Sequence, residues 1–157
     1  MPEFEPGNWL NSPPLRMRDL RGKAVLVDFW DFTCINCLRT LPYLVEWYRR
    51  YHDKGLVIVG VHAPKFSFAQ NPELVAEAAW ANRLDYPILL DNEFKTWQAF
   101  ANRYWPAKYL IDGDGYIRYQ TYGEGHYAET ERAIQTVLSE LGADHFPPPM
   151  EPIREMD

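Results

Sequence analysis

Cys34-Ile35-Asn36-Cys37 contains both cysteines of the 157-residue chain, separated by two residues. A thiolate, not a thiol, attacks a disulfide, so the chemistry turns on what would deprotonate one of them. The pair falls where an apolar strand pattern gives way to a helical one. At such a junction the unpaired N–H groups and the positive end of the helix stabilise a thiolate on Cys34. Cys37, one turn further along, is then placed to resolve a mixed disulfide. Other uses of the pair fit less well. As a staple, so short a loop would contribute only about 2 kcal/mol, against about 4.7 for a loop of roughly 100 residues. As half of a zinc site it lacks a second Cys-x-x-Cys, and His52, His62, His126 and His145 show no ligand spacing among themselves. Two inert core thiols would not need the strand-to-helix junction. Asp28 lies six residues before Cys34, inside the apolar run. Desolvation there would raise its pKa toward the range useful for proton transfer, making it the candidate general base for Cys37. Asp31 and Phe32 read as rim residues.

The elements that must position these groups alternate between strand and helix. Residues 23–30 form the nearly continuous apolar run expected of a strand covered on both faces. Leu41, Leu44, Val45, Tyr48 and Tyr51 recur at helical spacing, with Pro42 expected to kink that helix. Residues 56–61 are a second buried strand. Asn71-Pro72-Glu73 combines an N-cap, a first-position proline and a first-turn acid, predicting a helix to about Leu84. Residues 86–90 read as a short strand, and Asp91 or Asn92 as the cap of a helix through about Tyr104. Beyond Pro106, residues 107–112 and 116–122 flank Gly113-Asp114-Gly115, a hairpin signal. A last helix is expected from about Tyr127 to Leu141, stopped by Gly142. Parallel crossovers finishing in an antiparallel hairpin predict an α/β fold, a mixed central sheet with helices on both faces. Residues 145–157, with Pro147, Pro148, Pro149 and Pro152, are expected to run extended over or away from the surface.

Composition narrows the function classes. Hydrophobic residues are 46% of the chain and charged residues 24%, enough apolar surface for one packed domain. A net charge of −6 without a basic run argues against a nucleic-acid partner. The first residues lack the positive and apolar regions of a secretory signal, and no apolar stretch is long enough for a bilayer. The expectation is a chain that does not insert in a membrane, cytoplasmic as given, or extracytoplasmic if it is part of an exported or anchored protein.

Residues 25–30, then Cys-x-x-Cys, then Pro42 five positions beyond Cys37, resemble the thioredoxin superfamily. Within it the chain is similar to the TlpA/ResA-like thiol–disulfide oxidoreductases, and most to the redoxin domains fused to CcdA-type membrane proteins and NHL-repeat proteins. Phe29-Trp30-x-x-Thr33-Cys34-Ile35-Asn36-Cys37-Leu38-Arg39-Thr40-Leu41-Pro42-Tyr43, Gly60-Val61-His62-Ala63-Pro64, Tyr104-Trp105-Pro106 and Gly123-Glu124-Gly125 carry that likeness from about Trp9 to Leu141. The resemblance implies a thioredoxin fold over residues 1–144 with a central insertion at about 64–86, followed by the Pro-rich tail. It implies that Cys34 attacks and Cys37 resolves, with Asp28 as the buried acid of the family. It implies a cis Pro106 beside the disulfide, with the Trp105 backbone pairing with the substrate chain. Trp30, Phe32, Tyr104 and Trp105 would then form an apolar docking rim, Trp30 and Trp105 foremost. The only cofactor implied is the redox-active Cys34–Cys37 disulfide, and no metal. The implied partners are protein thiols and disulfides plus an upstream redox partner, acting on a monomer.

The sequence departs from the family in places. Thr33 precedes the nucleophile where thioredoxin has Trp, and Ile-Asn replaces Gly-Pro between the cysteines. Lys65 stands where ResA-like members carry a glutamate, so that role does not transfer. Two alternatives remain open. A thiol peroxidase would use Pro-x-x-x-Thr-x-x-Cys, whereas Thr33 directly adjoins Cys34. A copper-binding or non-catalytic interaction domain of the Sco type would space its cysteines by three residues and add a distal histidine, for which His62 is the candidate.

Overall fold

In a computed structural model, described for residues 2–157, six strands form one mixed sheet. They are β1 (Asn8–Leu10), β2 (Ala24–Trp30), β3 (Leu56–His62), β4 (Ile88–Leu90), β5 (Ala107–Ile111) and β6 (Ile117–Tyr122), in spatial order β1-β4-β3-β2-β5-β6. β2 pairs parallel with β3, and β3 with β4; β1–β4, β2–β5 and β5–β6 are antiparallel. The central β2 is buried along its whole length because its two faces serve two apolar clusters. Ala24, Leu26 and Trp30 point toward Leu41 and Leu44 of α1 (Ile35–Tyr51) and Ile134, Val137 and Leu138 of α4 (Tyr127–Glu140). Val25, Val27 and Phe29 point the other way, toward Trp97 of α3 (Lys95–Ala99) and toward Phe100. This two-sided burial explains why the strand's sequence shows no polar alternation. Phe29 meets Trp97, Phe100 and Tyr109 edge-on at 5.4–5.8 Å, so its truncation to alanine would cost about 3–5 kcal/mol.

Local signals decide most boundaries. Asn71 accepts the Glu73 N–H at 2.9 Å and Pro72 is the first residue of α2 (Pro72–Ala81). Asp112 Oδ1 accepts the N–H groups of Asp114 and Tyr116, closing the β5–β6 hairpin, and Gly142 leaves α4 in the left-handed region. Pro42 sits inside α1 without ending it. The third helix is shorter than its pattern: it ends at Ala99, and Ala101 turns into the left-handed region. Asp91 binds its first turn from four residues upstream, accepting the N–H groups of Thr96 and Trp97. β1, three residues on the edge of β4, is too short to carry a readable alternation.

The Pro-rich tail lies over α1 and α4. Arg50 and Gln135 donate to the carbonyls of Pro148 and Pro147, and the Ile153 N–H donates to Tyr43. Buried Glu131 receives the Met150 N–H, the Trp47 indole and Arg50.

Candidate active site

Cys34 is the N-cap of α1. Its backbone is extended (φ −94°, ψ 112°), and its sulfur accepts the Cys37 N–H at 3.3 Å, an otherwise unpaired first-turn donor. Both cysteines are free thiols; Cys34 keeps 7% of its surface and Cys37 none, so only Cys34 can meet another molecule. The electrostatics split the pair the same way. The Cys37 side chain, donating to Cys34, pulls the Cys34 thiol down to about 6 against the cost of burial; the N–H groups of Cys37 and Asn36 and the Lys65 charge add to this. Burial, then donation to Cys34, pushes Cys37 far above the ordinary thiol range. The result is a nucleophile beside a thiol that needs a base.

Asp28 is fully buried behind the pair, opposite Gly60 on β3 and Lys108 on β5. Burial pushes it up to about 7; the Lys108 charge opposes that rise and the Cys34 charge adds to it. Lys108 Nζ lies 3.8 Å from Asp28 Oδ1, within ion-pair range but too far for a hydrogen bond. Neither group has a hydrogen-bond partner among the described residues. Burial pulls Lys108 below its ordinary value, with Asp28 and Cys37 opposing. Lys108 is the charged neighbour that the sequence reading missed. The available signal was a lone lysine inside the apolar strand residues 107–111, which becomes a partner only once the β2–β5 register is known. Gly60 has its own reason: a Cβ there would lie 3.1 Å from Trp30 Nε1 and 3.2 Å from the Tyr86 ring. A side chain there would press on both rings.

Two rim expectations are corrected. Trp30 is completely buried, facing His62 edge-on at 4.9 Å, because even-numbered β2 residues point into the α1–α4 core. It cannot touch a substrate. Asp31 is also completely buried: its carboxylate accepts the Thr33 N–H at 3.2 Å, the Thr33 hydroxyl at 2.8 Å and the Lys65 N–H at 3.0 Å. Burial raises its pKa, but donation from His62, Thr33 and Lys65 outweighs that and holds it at about 2. Phe32 is half-buried, stacked on His62 at 5.6 Å.

The Trp105–Pro106 peptide bond is cis. Pro106 is buried and its carbonyl accepts the Gly123 N–H, which brings the Gly123-Glu124-Gly125 turn to the site. Trp105 is half-buried; its indole donates to the Ala63 carbonyl at 2.8 Å, and Lys65 Nζ stands 5.1 Å from its ring. Lys65 is both exposed and close enough to favour the Cys34 thiolate. Phe66 and Phe68, 55% and 57% exposed, extend the apolar surface from Phe32; they went unremarked in the sequence. Among the described residues no group of three or more His, Cys, Asp and Glu is placed to hold a metal, and no helix is long and apolar enough to cross a membrane.

Comparison with known proteins agrees with this geometry. Residues 1–120 match the AhpC/TSA family. The chain is 47% identical over 135 residues to Protein DipZ of Mycobacterium bovis, covering 84% of this chain but only 19% of that protein. It is 30% identical over 132 residues to the thiol-disulfide oxidoreductase YkuV of Bacillus subtilis, covering 84% of this chain and 88% of the relative. The solution structure of a thioredoxin-like protein in its oxidised form superposes with a TM-score of 0.76 at 31% identity, over 84% of this chain and 88% of that one. With a Cys-x-x-Cys at the start of α1, a cis-proline loop beside it and a thioredoxin-like sheet beneath, the chain belongs to the AhpC/TSA family and, within it, to the thioredoxin-like thiol–disulfide oxidoreductase family.

Proposed function

We propose that the domain exchanges dithiol for disulfide with protein substrates. The Cys34 thiolate attacks one sulfur of a partner disulfide, forming a mixed disulfide and releasing the other partner sulfur as a thiolate. Cys37 gives its proton to Asp28 and attacks the Cys34 sulfur; the second partner thiolate leaves. Two electrons have passed to the partner, and the domain holds a Cys34–Cys37 disulfide that an upstream redox partner must reduce. The same steps run backward when the partner is the dithiol. Lys108 stabilises the Asp28 carboxylate before that carboxylate takes the Cys37 proton.

The observation that carries this reading is the split between the cysteines: one accessible thiol drawn down to about 6, beside a buried one pushed far up. A polypeptide partner is favoured by the apolar surroundings of Cys34, where Ile35, Phe66, Phe68 and Tyr104 are exposed and Phe32 and Trp105 are half-exposed. In this reading Trp105 and Pro106 line the substrate chain. The test is insulin reduction under a dithiol supply, with Cys37→Ser used to trap the mixed disulfide. Wild-type reduction, a trapped covalent polypeptide adduct and inactivity of Cys34→Ser are expected. Peroxide consumption much faster than insulin reduction, or no adduct, would overturn the reading.

A further inference from the structure

Just outside the cysteine pair, two buried side chains join segments that are distant in sequence. The Asp31 carboxylate receives both Thr33 donors and the Lys65 N–H, tying residues 31–34 to the segment after β3. His62, the last residue of β3 and completely buried, presents Nε2 to two groups at once. That nitrogen is 3.2 Å from the Phe32 backbone N and 3.4 Å from Asp31 Oδ1. The ring is clamped between stacked Phe32 and the edge of Trp30. The next residue, Ala63, donates its N–H to the Trp30 carbonyl and accepts the Trp105 indole. One short stretch therefore holds the Cys34 loop and the loop of the cis proline.

We propose that Asp31 and His62 are positioning residues for Cys34: they hold the 31–34 backbone so that the Cys37 N–H meets the Cys34 sulfur, and they lock that loop to the Trp105 loop. This inference rests on Cys34 being the nucleophile and is indifferent to the partner's identity. Charge is not what Asp31 contributes. An anion near a sulfur that must itself become anionic opposes that ionisation. Its contribution is geometric, through three accepted hydrogen bonds on one turn of backbone and a neighbouring segment. The histidine adds a choice. With its proton on Nδ1, the ring accepts the Phe32 N–H and restrains the chain two residues before Cys34. With a proton on Nε2, the ring donates to Asp31 and the Phe32 tether is released. Titratable side chains on the strands around the ring and just beyond them include Asp28 on β2, Asp31 after it, Lys65 on the continuation of β3 and Asp91 after β4, whose backbone N–H binds the His62 carbonyl.

The test is the pH profile of Cys34 alkylation in the reduced domain, together with its disulfide equilibrium against glutathione, for Asp31→Ala, Asp31→Asn and His62→Leu. Asp31→Ala and His62→Leu should move the alkylation midpoint up by about one pH unit, a roughly fivefold loss of rate at pH 6, and shift the equilibrium. Asp31→Asn keeps an acceptor oxygen and should recover most of the loss, which separates geometry from charge. Folded Asp31→Ala and His62→Leu variants with the wild-type profile and equilibrium would overturn the proposal. If Asp31→Ala does not fold, His62→Leu decides alone by the same criterion. Failure of Cys37→Ser to trap a polypeptide would sink the protein-substrate reading and leave this result standing.

Discussion

Asp28 and Asp31 are two completely buried carboxylates three positions apart, and they behave in opposite ways. Asp28 faces the interior of the sheet with a lysine 3.8 Å away and no hydrogen-bond donor on either oxygen; it is pushed up to about 7. Asp31 sits where the strand has ended and the backbone turns. With the His62 ring 3.4 Å away, it also collects two N–H groups and a hydroxyl, and is held at about 2. Burial charges both for desolvation, and the count of donors decides the sign. One carboxyl can take and release a proton near neutral pH. The other is a permanent anion that fastens a loop.

The largest effect should come from removing the fastened carboxylate. Asp31→Ala orphans three donors and should lower unfolding stability by about 3 kcal/mol in urea at pH 7. A loss below about 0.5 kcal/mol would erase the contrast, since a replaceable Asp31 would be no anchor. In the wild type its contribution has a definite pH window. The folded value of about 2 lies below the ordinary 3.8, so this stability is present above pH 4 and lost as pH falls through about 2.

Asp28→Asn should slow protein-disulfide reduction by about a hundredfold, the usual scale for a removed general base. An unchanged rate would take Asp28 out of the mechanism. Its stability window is the mirror image. The folded value of about 7 lies above 3.8, so the folded state binds the extra proton, and stability falls as pH rises from about 4 through about 7. Replacing both partners, Asp28→Asn with Lys108→Met, should leave the protein as stable as wild type at pH 8 or about 1–2 kcal/mol more stable, because a buried pair without hydrogen bonds returns little for its desolvation. Marked destabilisation of that double variant, seen by denaturant unfolding, would mean that Asp28 is an anchor like Asp31. The smallest effect belongs to Lys65. Its alanine variant should slow Cys34 alkylation at pH 6 by about twofold, and added salt should mask the difference because Lys65 is exposed.

The strand-and-helix order, the hairpin and the α2 cap were legible because each rests on local chemistry: an apolar run, a Gly-Asp-Gly turn, an Asn-Pro-Glu start. Cys34 and Cys37 were legible by spacing, and Asp28 by standing in an apolar strand. What escaped depended on register and on where turns point. Lys108 meets Asp28 only across the β2–β5 pairing. Trp30 looked like a rim aromatic, but strand parity turns it inward, and Asp31 looked exposed because a charge at a strand end usually is. Three-residue β1 and the early end of α3 are tertiary outcomes that no periodicity of that length can announce.

The central claim is that Cys34 is the thiol prepared for attack. It is tested most directly by the pH dependence of iodoacetamide alkylation of Cys34 in the reduced Cys37→Ala and wild-type domains, followed residue by residue by mass spectrometry. The account predicts that Cys34 reacts alone in the wild type with a midpoint near pH 6, and that the midpoint rises when the Cys37 thiol is replaced. A wild-type midpoint near 9, the ordinary thiol value, or alkylation of Cys37 ahead of Cys34, would contradict it.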